Sequence, residues 1–558
     1  MKLKKNQNSN QNLRKSGVLL HPSSLPSSSG IGTLGKSAYQ FIDWLHEAKQ
    51  SLWQVLPLGP TGYGDSPYAS FSTFAGNPLL IDIDTLYKKG YLWDEDMVLP
   101  DSIKNQNKAA VDFGALVQWK LPILKRAAKS YLFARVQQYK KQPENSEKDP
   151  YAHTSYIKFV RDNAYWLEDY ALFMSIKDFH DKKAIEEGAE NTVWFLYWPK
   201  DLVQRDEKAL ANWKKNNKDE IEQHKIIQFF FFVQWKLLKT YANERGIKII
   251  GDIPIFVAPD SSDVWAHKKF FQLDSNAKPK SVAGVPPDYF SKTGQLWGNP
   301  LYNWKALKKD HFRWWVQRIE AMLELVDYIR IDHFRGFEAY WSVAYGEKNA
   351  VNGKWIKAPG KELFKTLQRK LGEKGKKLPI IAEDLGVITP EVEALRDSFQ
   401  FPGMKVLQFA FSLDEKHKGA LLNSFLPHMY SSNFVVYTGT HDNDTLCGWF
   451  FSLKKEEQDL IMNYLEGVVP TNGNKDYSRE QVVSLFLKEA FSSVAKSVII
   501  PFQDLYMLGS EARMNTPSSL GGTNWQWRMD ESMIVGKEAE EKAEMLQQLN
   551  LLYNRNNA

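Results

Sequence analysis

The chain has 558 residues, more than one ordinary domain of ~100–200 residues, so it requires either several domains or one barrel carrying large insertions. Hydrophobic residues make up 43% and charged residues 25%, a balance that excludes global disorder. The formal net charge of +6 is dispersed among nearly as many acids, which excludes a basic nucleic-acid-binding face.

Residues 1–16, rich in Asn, Gln and Lys and without the apolar core of a secretory signal, read as a solvated tail, and no export is expected. Apolar and β-branched runs at 17–25 and 52–58 are the first two predicted strands. Residues 85–235 are far too long for a simple connection. Their amphipathic patterns, such as AYWLEDYALFMSIKDF, predict a helical insertion beside the barrel mouth. Within it, the apolar run 229–233 falls short of the ~20 residues needed to cross a bilayer, so it predicts a buried helix face and no membrane partner. A third strand is predicted at 247–257. Next comes 278–304, whose Gly and Pro residues argue against long regular structure and mark a lid loop. Further strands fall at 328–334, 378–386, 404–411, 433–443 and 498–508. A polar helix at 538–553, within a terminal segment 531–558, leaves no room for a C-terminal β-sandwich.

Eight strands alternating with helices predict an α/β fold, a (β/α)8 TIM barrel over 17–530 with large helical insertions around its C-terminal mouth. Catalytic groups of such barrels stand at the C-terminal strand ends, where this sequence has Asp252, Asp332, Glu383, Asp442 and Asp504. Arg330 and Asp332, two apart on a strand, share a face. The guanidinium would keep the carboxylate ionised, as a nucleophile requires; an interior Arg–Asp structural pair fits the spacing equally well. Glu383 follows an apolar strand, where burial would raise its pKa and suit it to act as a general acid, while Asp384 should face away. His441 and Asp442 can bind sugar hydroxyls or, alternatively, a metal.

No His-x-His or HExxH pattern supports a metal, and no phosphate loop or GxSxG elbow is present, so no metal and no cofactor are expected. The single Cys447 rules out an internal disulfide and reads as buried filler in a reducing compartment. Nineteen Trp, 24 Tyr and 32 Phe supply either a large core or rings that stack on sugars.

With these residues in view, the sequence resembles the amylomaltase or disproportionating-enzyme family of 4-α-glucanotransferases, a branch of the α-amylase superfamily. The likeness covers about residues 17–530 through LLHPSSLP, WQVLPLGPTGYGDSPYASFSTFAGNP, GDIPIFVAPDSSDVWAH, VAGVPPDYFSKTGQLWGNPLYNW, IRIDHFRGF, IIAEDLGVITPEVE, YTGTHDND and EARMNTP. By resemblance, Asp332 is the nucleophile, Glu383 the acid and then base, and Asp442 the acid that stabilises the oxocarbenium-like transition state. Arg330 and His441 would hold the same glucose. Asp252, Tyr63 and Asp288 would belong to the sugar-binding site, and Trp297 to a loop over the glucan chain.

The resemblance further implies maltooligosaccharides and starch- or glycogen-type α-glucans as substrates, with glucose as product and acceptor. A monomer or homodimer is expected, in the cytoplasm or, in a photosynthetic eukaryote, the plastid stroma. An α-1,4-glucan hydrolase and a non-catalytic glucan-binding scaffold are the alternatives. Departures from the family pattern at PSSLPSSSG, WSVAYGE and MNTPSSLGG affect loop shape and leave the acids untouched.

Overall fold

Strands buried on both faces read as continuous apolar runs, and the runs predicted above fold in this way. The computed structural model describes residues 14–555 apart from 63, 106, 142–148, 190–191, 288–290, 373–376, 412–422 and 469–474. Its strands are β1 (Lys15–Leu19), β2 (Leu52–Gln54), β3 (Lys248–Pro254), β4 (Ser281–Val285), β5 (Gln295–Pro300), β6 (Tyr328–Asp332), β7 (Ala339–Ala344), β8 (Gly353–Lys357), β9 (Ile380–Ala382), β10 (Gly403–Val406), β11 (Phe434–Tyr437) and β12 (Ser497–Pro501).

Eight of them form one parallel sheet in the order β10-β11-β12-β1-β2-β3-β6-β9. Its two ends meet where the Ala382 N–H donates to the Pro402 carbonyl at 2.9 Å, giving the (β/α)8 barrel. Gly251 shows which way the strands face. A Cβ there would sit 2.4 Å from Met322 Cε, on the helix Arg313–Leu325. Gly251 therefore faces that outer helix, and the alternation of the strand turns Asp252 into the barrel.

The first strand begins at Lys15, inside the stretch expected to be tail. Its anchors are tertiary: the Lys15 N–H donates to the Lys496 carbonyl at 2.7 Å, and Arg14 Nη2 donates to the Phe491 carbonyl at 2.9 Å. Residues 278–304 also depart from expectation. Instead of a loop they contribute β4 and β5 to an antiparallel sheet ordered β5-β4-β7-β8. Local propensity missed these strands because β4 pairs with β7, some sixty residues on, in the register Ser281↔Ala344. Gly284 permits the close pairing, since a Cβ there would lie 2.5 Å from the Gln295 carbonyl oxygen.

Between β2 and β3 the chain is largely helical, ending in the helix Lys218–Glu244, which buries Phe229, Phe230, Phe231 and Trp235. Two glutamines of that helix each grip a backbone like a paired strand. Gln228 accepts from the Gly76 N–H at 2.7 Å and donates to its carbonyl at 2.9 Å. Gln234 does the same to Asp82, at 2.7 and 3.0 Å. The loop after β2 is thereby fixed over the barrel mouth. No helix among the described residues is long and apolar enough to cross a membrane.

Candidate active site

Adjacent parallel strands present residues of equal register to the same face, ~4.8 Å apart. β6 and β9 pair with Ile331 opposite Ala382, which sets Asp332 beside Glu383 at the two strand ends. Retaining cleavage of a glycosidic bond needs two carboxyl groups ~5–5.5 Å apart, and neighbouring strand ends of this kind suit that spacing. The same logic joins β3 to β6: Asp252 pairs with Arg330 in register.

Arg330 crosses the barrel interior. Its Nη1 donates to Asp252 Oδ2 and lies 3.1 Å from Asp332 Oδ1. Asp252 is fully buried and also accepts from the Tyr68 hydroxyl at 2.8 Å. Tyr68 belongs to the loop fixed by the two glutamines. Its ring stacks on His441, with centroids 5.1 Å apart and planes at 18°.

The Glu383 carboxylate is held by two backbone donors, His333 N–H to Oε2 at 2.7 Å and Leu385 N–H to Oε1 at 2.8 Å. His333 presents its amide from a left-handed turn, φ +52°, directly after Asp332. Burial pushes Glu383 up to about 7, against the pull of Arg330 and the two amides. Burial also raises Asp332, again opposed by Arg330, so the depression expected from the guanidinium alone is not what the site produces: Arg330 divides its charge between two carboxylates. Of Asp332 and Glu383, only Asp332 has a direct guanidinium contact, and its side chain keeps 27% exposure. Both favour the anion there, leaving the proton of the pair to Glu383.

Asp442 lies beyond β11. Its Oδ1 accepts from Asn515 Nδ2 at 2.7 Å, with His441 Nε2 3.5 Å away. Arg513 donates to its backbone carbonyl at 2.7 Å. Burial lowers the pKa of His441. Trp297, on β5, meets the His333 ring edge-on at 4.8 Å.

Arg330, Asp332, Glu383, Asp252, His441 and Asp442 thus form one connected cluster, with Trp297 at its rim. Tyr63 and Asp288 lie outside the described residues. Asp504 does not join the cluster: it is buried and accepts from the Thr438 hydroxyl and the Leu446 N–H. Asp384 faces away and accepts from Arg396 and the Met404 N–H. Sequence reading passed over Tyr68, His333, Asn515 and Arg513. Tyr68 and Asn515 stand in the GYGDSPY and RMNTP strings already singled out, so their polar types in those strings were the available signal. Among the described residues no group of three or more His, Cys, Asp or Glu could hold a metal.

Residues 20–533 match the family model described as 4-alpha-glucanotransferase. The chain belongs to the 4-alpha-glucanotransferase family. It is 47% identical over 518 residues to the 4-alpha-glucanotransferase of Thermus thermophilus, covering 92% of this chain and 95% of that one. A chloroplastic/amyloplastic 4-alpha-glucanotransferase of Solanum tuberosum is 43% identical over 523 residues, 93% of this chain and 83% of the relative. Among solved structures, an amylomaltase from Streptococcus agalactiae in complex with acarbose superposes with a TM-score of 0.84 at 38% identity, covering 98% of this chain and all of that one. With this family and this barrel, the protein is a glucan-transferring enzyme.

Proposed function

We propose that the chain transfers α-1,4-glucan segments between maltooligosaccharides by a retaining double displacement centred on Asp332 and Glu383. The observation that carries this reading is the pair of carboxyls level on β6 and β9, of which Asp332 and not Glu383 touches the Arg330 guanidinium. In the first step an Asp332 oxygen bonds to the anomeric carbon as the bond from that carbon to the leaving 4-oxygen breaks, and Glu383 delivers its proton to the departing oxygen. In the second, the 4-hydroxyl of an acceptor sugar gives its proton to Glu383 and attacks the anomeric carbon, releasing Asp332 with the α linkage kept.

Asp442 and Arg330 act on the sugar between these steps. Asp442, anchored by Asn515, binds ring hydroxyls and stabilises the positive charge that develops in the transition state. Trp297 supplies an aromatic wall on the lid sheet, which favours a sugar acceptor over water by excluding solvent. A cytoplasmic setting fits the one buried thiol, Cys447.

Maltotriose distinguishes the outcomes. Glucose together with oligomers longer than the substrate means transfer. Only shorter sugars would mean an α-glucan hydrolase, and no products at all a glucan-binding scaffold.

A further inference from the structure

Arg335 lies buried in the turn Phe334–Phe337 that follows β6. Its Nη1 donates to the backbone carbonyl of Val387, and its guanidinium carbon sits 3.8 Å over the Trp355 ring of β8. Its Nε is buried without a hydrogen-bond partner. A cation taken out of water this far is held by few contacts, and here they lead to two different parts of the active site.

One part is the acid. Val387 stands four residues after Glu383, and the Leu385 N–H between them donates to Glu383 Oε1. Gly386, at φ +84°, turns the chain between these two points. The segment 383–387 is therefore fastened three times to the turn after β6: by the Phe334 N–H on the Glu383 carbonyl at 3.1 Å, by the His333 amide on the carboxylate, and by Arg335 on Val387, the one of the three that a side chain of the turn supplies.

The other part is the lid. Trp355 pairs with Trp341 across β8 and β7, their rings 5.2 Å apart, and the sheet continues through β4 to β5, which carries Trp297. The Lys357 ammonium on the Glu338 carboxylate and the Ala358 N–H on the Glu338 carbonyl at 2.9 Å tie the same strand to the same turn.

We propose that Arg335 is a positioning residue that couples the seating of the lid sheet to the placement of the Glu383 carboxyl, so that the lid loosens and the acid shifts together. This rests on Glu383 being the general acid. A planar guanidinium can stack on an indole and donate in its own plane at once, a combination that an ammonium lacks.

The test uses the full chain, maltotriose, and three readouts: the hydrolysed share of total turnover, the basic limb of the kcat/KM pH profile, and the melting temperature. In Arg335→Ala the hydrolysed share should rise about three-fold or more as water gains entry. The basic limb should move to lower pH as Glu383 becomes better solvated. Trp355→Leu keeps the Val387 bond, so the hydrolysed share should rise while the limb stays in place.

A folded Arg335→Ala enzyme that changes in neither readout, or in only one, overturns the coupling, as does a lowered melting temperature by itself. If Arg335→Ala does not fold, Trp355→Leu decides, and an unchanged hydrolysed share overturns the proposal. Glu383→Gln is measured alongside. Near-normal activity there refutes the acid assignment itself, whereas loss of activity there with a wild-type-like Arg335→Ala refutes only the coupling.

Discussion

The backbone N–H of His333 donates to Glu383 Oε2 at 2.7 Å, so the carboxyl read here as the acid rests on the residue that follows the carboxyl read as the nucleophile. Two adjacent strand ends and one left-handed turn therefore set their spacing, with little left to side-chain rotamers. A barrel strand is among the stiffest supports available, and catalytic groups held within about half an ångström need such support.

The pH response follows from Glu383. Its pKa, raised by burial from 4.5 to about 7, puts the protonated form that cleavage requires below that pH. Above about 7, kcat/KM should fall roughly tenfold per pH unit, measured with maltotriose from pH 5 to 9. For stability the sign is the same. A raised folded-state carboxyl pKa adds stability below 4.5 that is lost as pH rises to about 7. Melting temperature should fall across that window in the wild type and less steeply in Glu383→Gln.

Asp332→Asn replaces the attacking carboxylate with a neutral amide while leaving Arg330 its bond to Asp252. Turnover should drop by about a thousand-fold or more, with an unchanged circular dichroism spectrum and retained glucan binding. A variant with near-normal activity would show that Asp332 is not the nucleophile.

Arg330→Met should destabilise the fold by roughly 3–5 kcal/mol, because it strands the fully buried Asp252 without its countercharge. Adding Asp252→Asn should restore part of the loss, and a double-mutant cycle by urea unfolding measures the coupling. Strict additivity would mean that the pair does not interact energetically.

Trp297 is 37% exposed and touches His333 only at the ring edge, so its truncation costs little stability. Trp297→Ala should raise the maltotriose KM about tenfold, the equivalent of ~1.4 kcal/mol of lost contact, and increase the hydrolysed share. Unchanged values for both would remove Trp297 from the substrate path.

What the sequence disclosed divides along physical lines. Strand cores are local: each of the eight apolar runs overlaps a barrel strand, though β1, β10 and β12 begin one or two residues before theirs, because continuous burial imposes a composition that a single stretch displays. The acids at strand ends were legible for the same reason. Tyr68 on Asp252 and Asn515 on Asp442 were not, since each contact joins residues far apart in the chain and no local pattern encodes it. The second sheet was missed likewise, because β4 and β5 take their strand character from pairing with each other and with β7. Asp504 stands near the rim but outside the cluster, and a strand-end acid that caps its neighbours reads the same, residue by residue, as one that faces a substrate.

The grip of Gln228 and Gln234 on Gly76 and Asp82 has a consequence for how the molecule opens. The amides of Gly76 and Asp82 are protected only while the helix Lys218–Glu244 is seated, so their hydrogen exchange should slow or quicken with that helix and not with the loop around them. Trimming the helical region to obtain a minimal barrel would release the segment that carries Tyr68, leaving a shorter chain that retains both carboxyls and lacks the hydroxyl on Asp252 and the ring on His441.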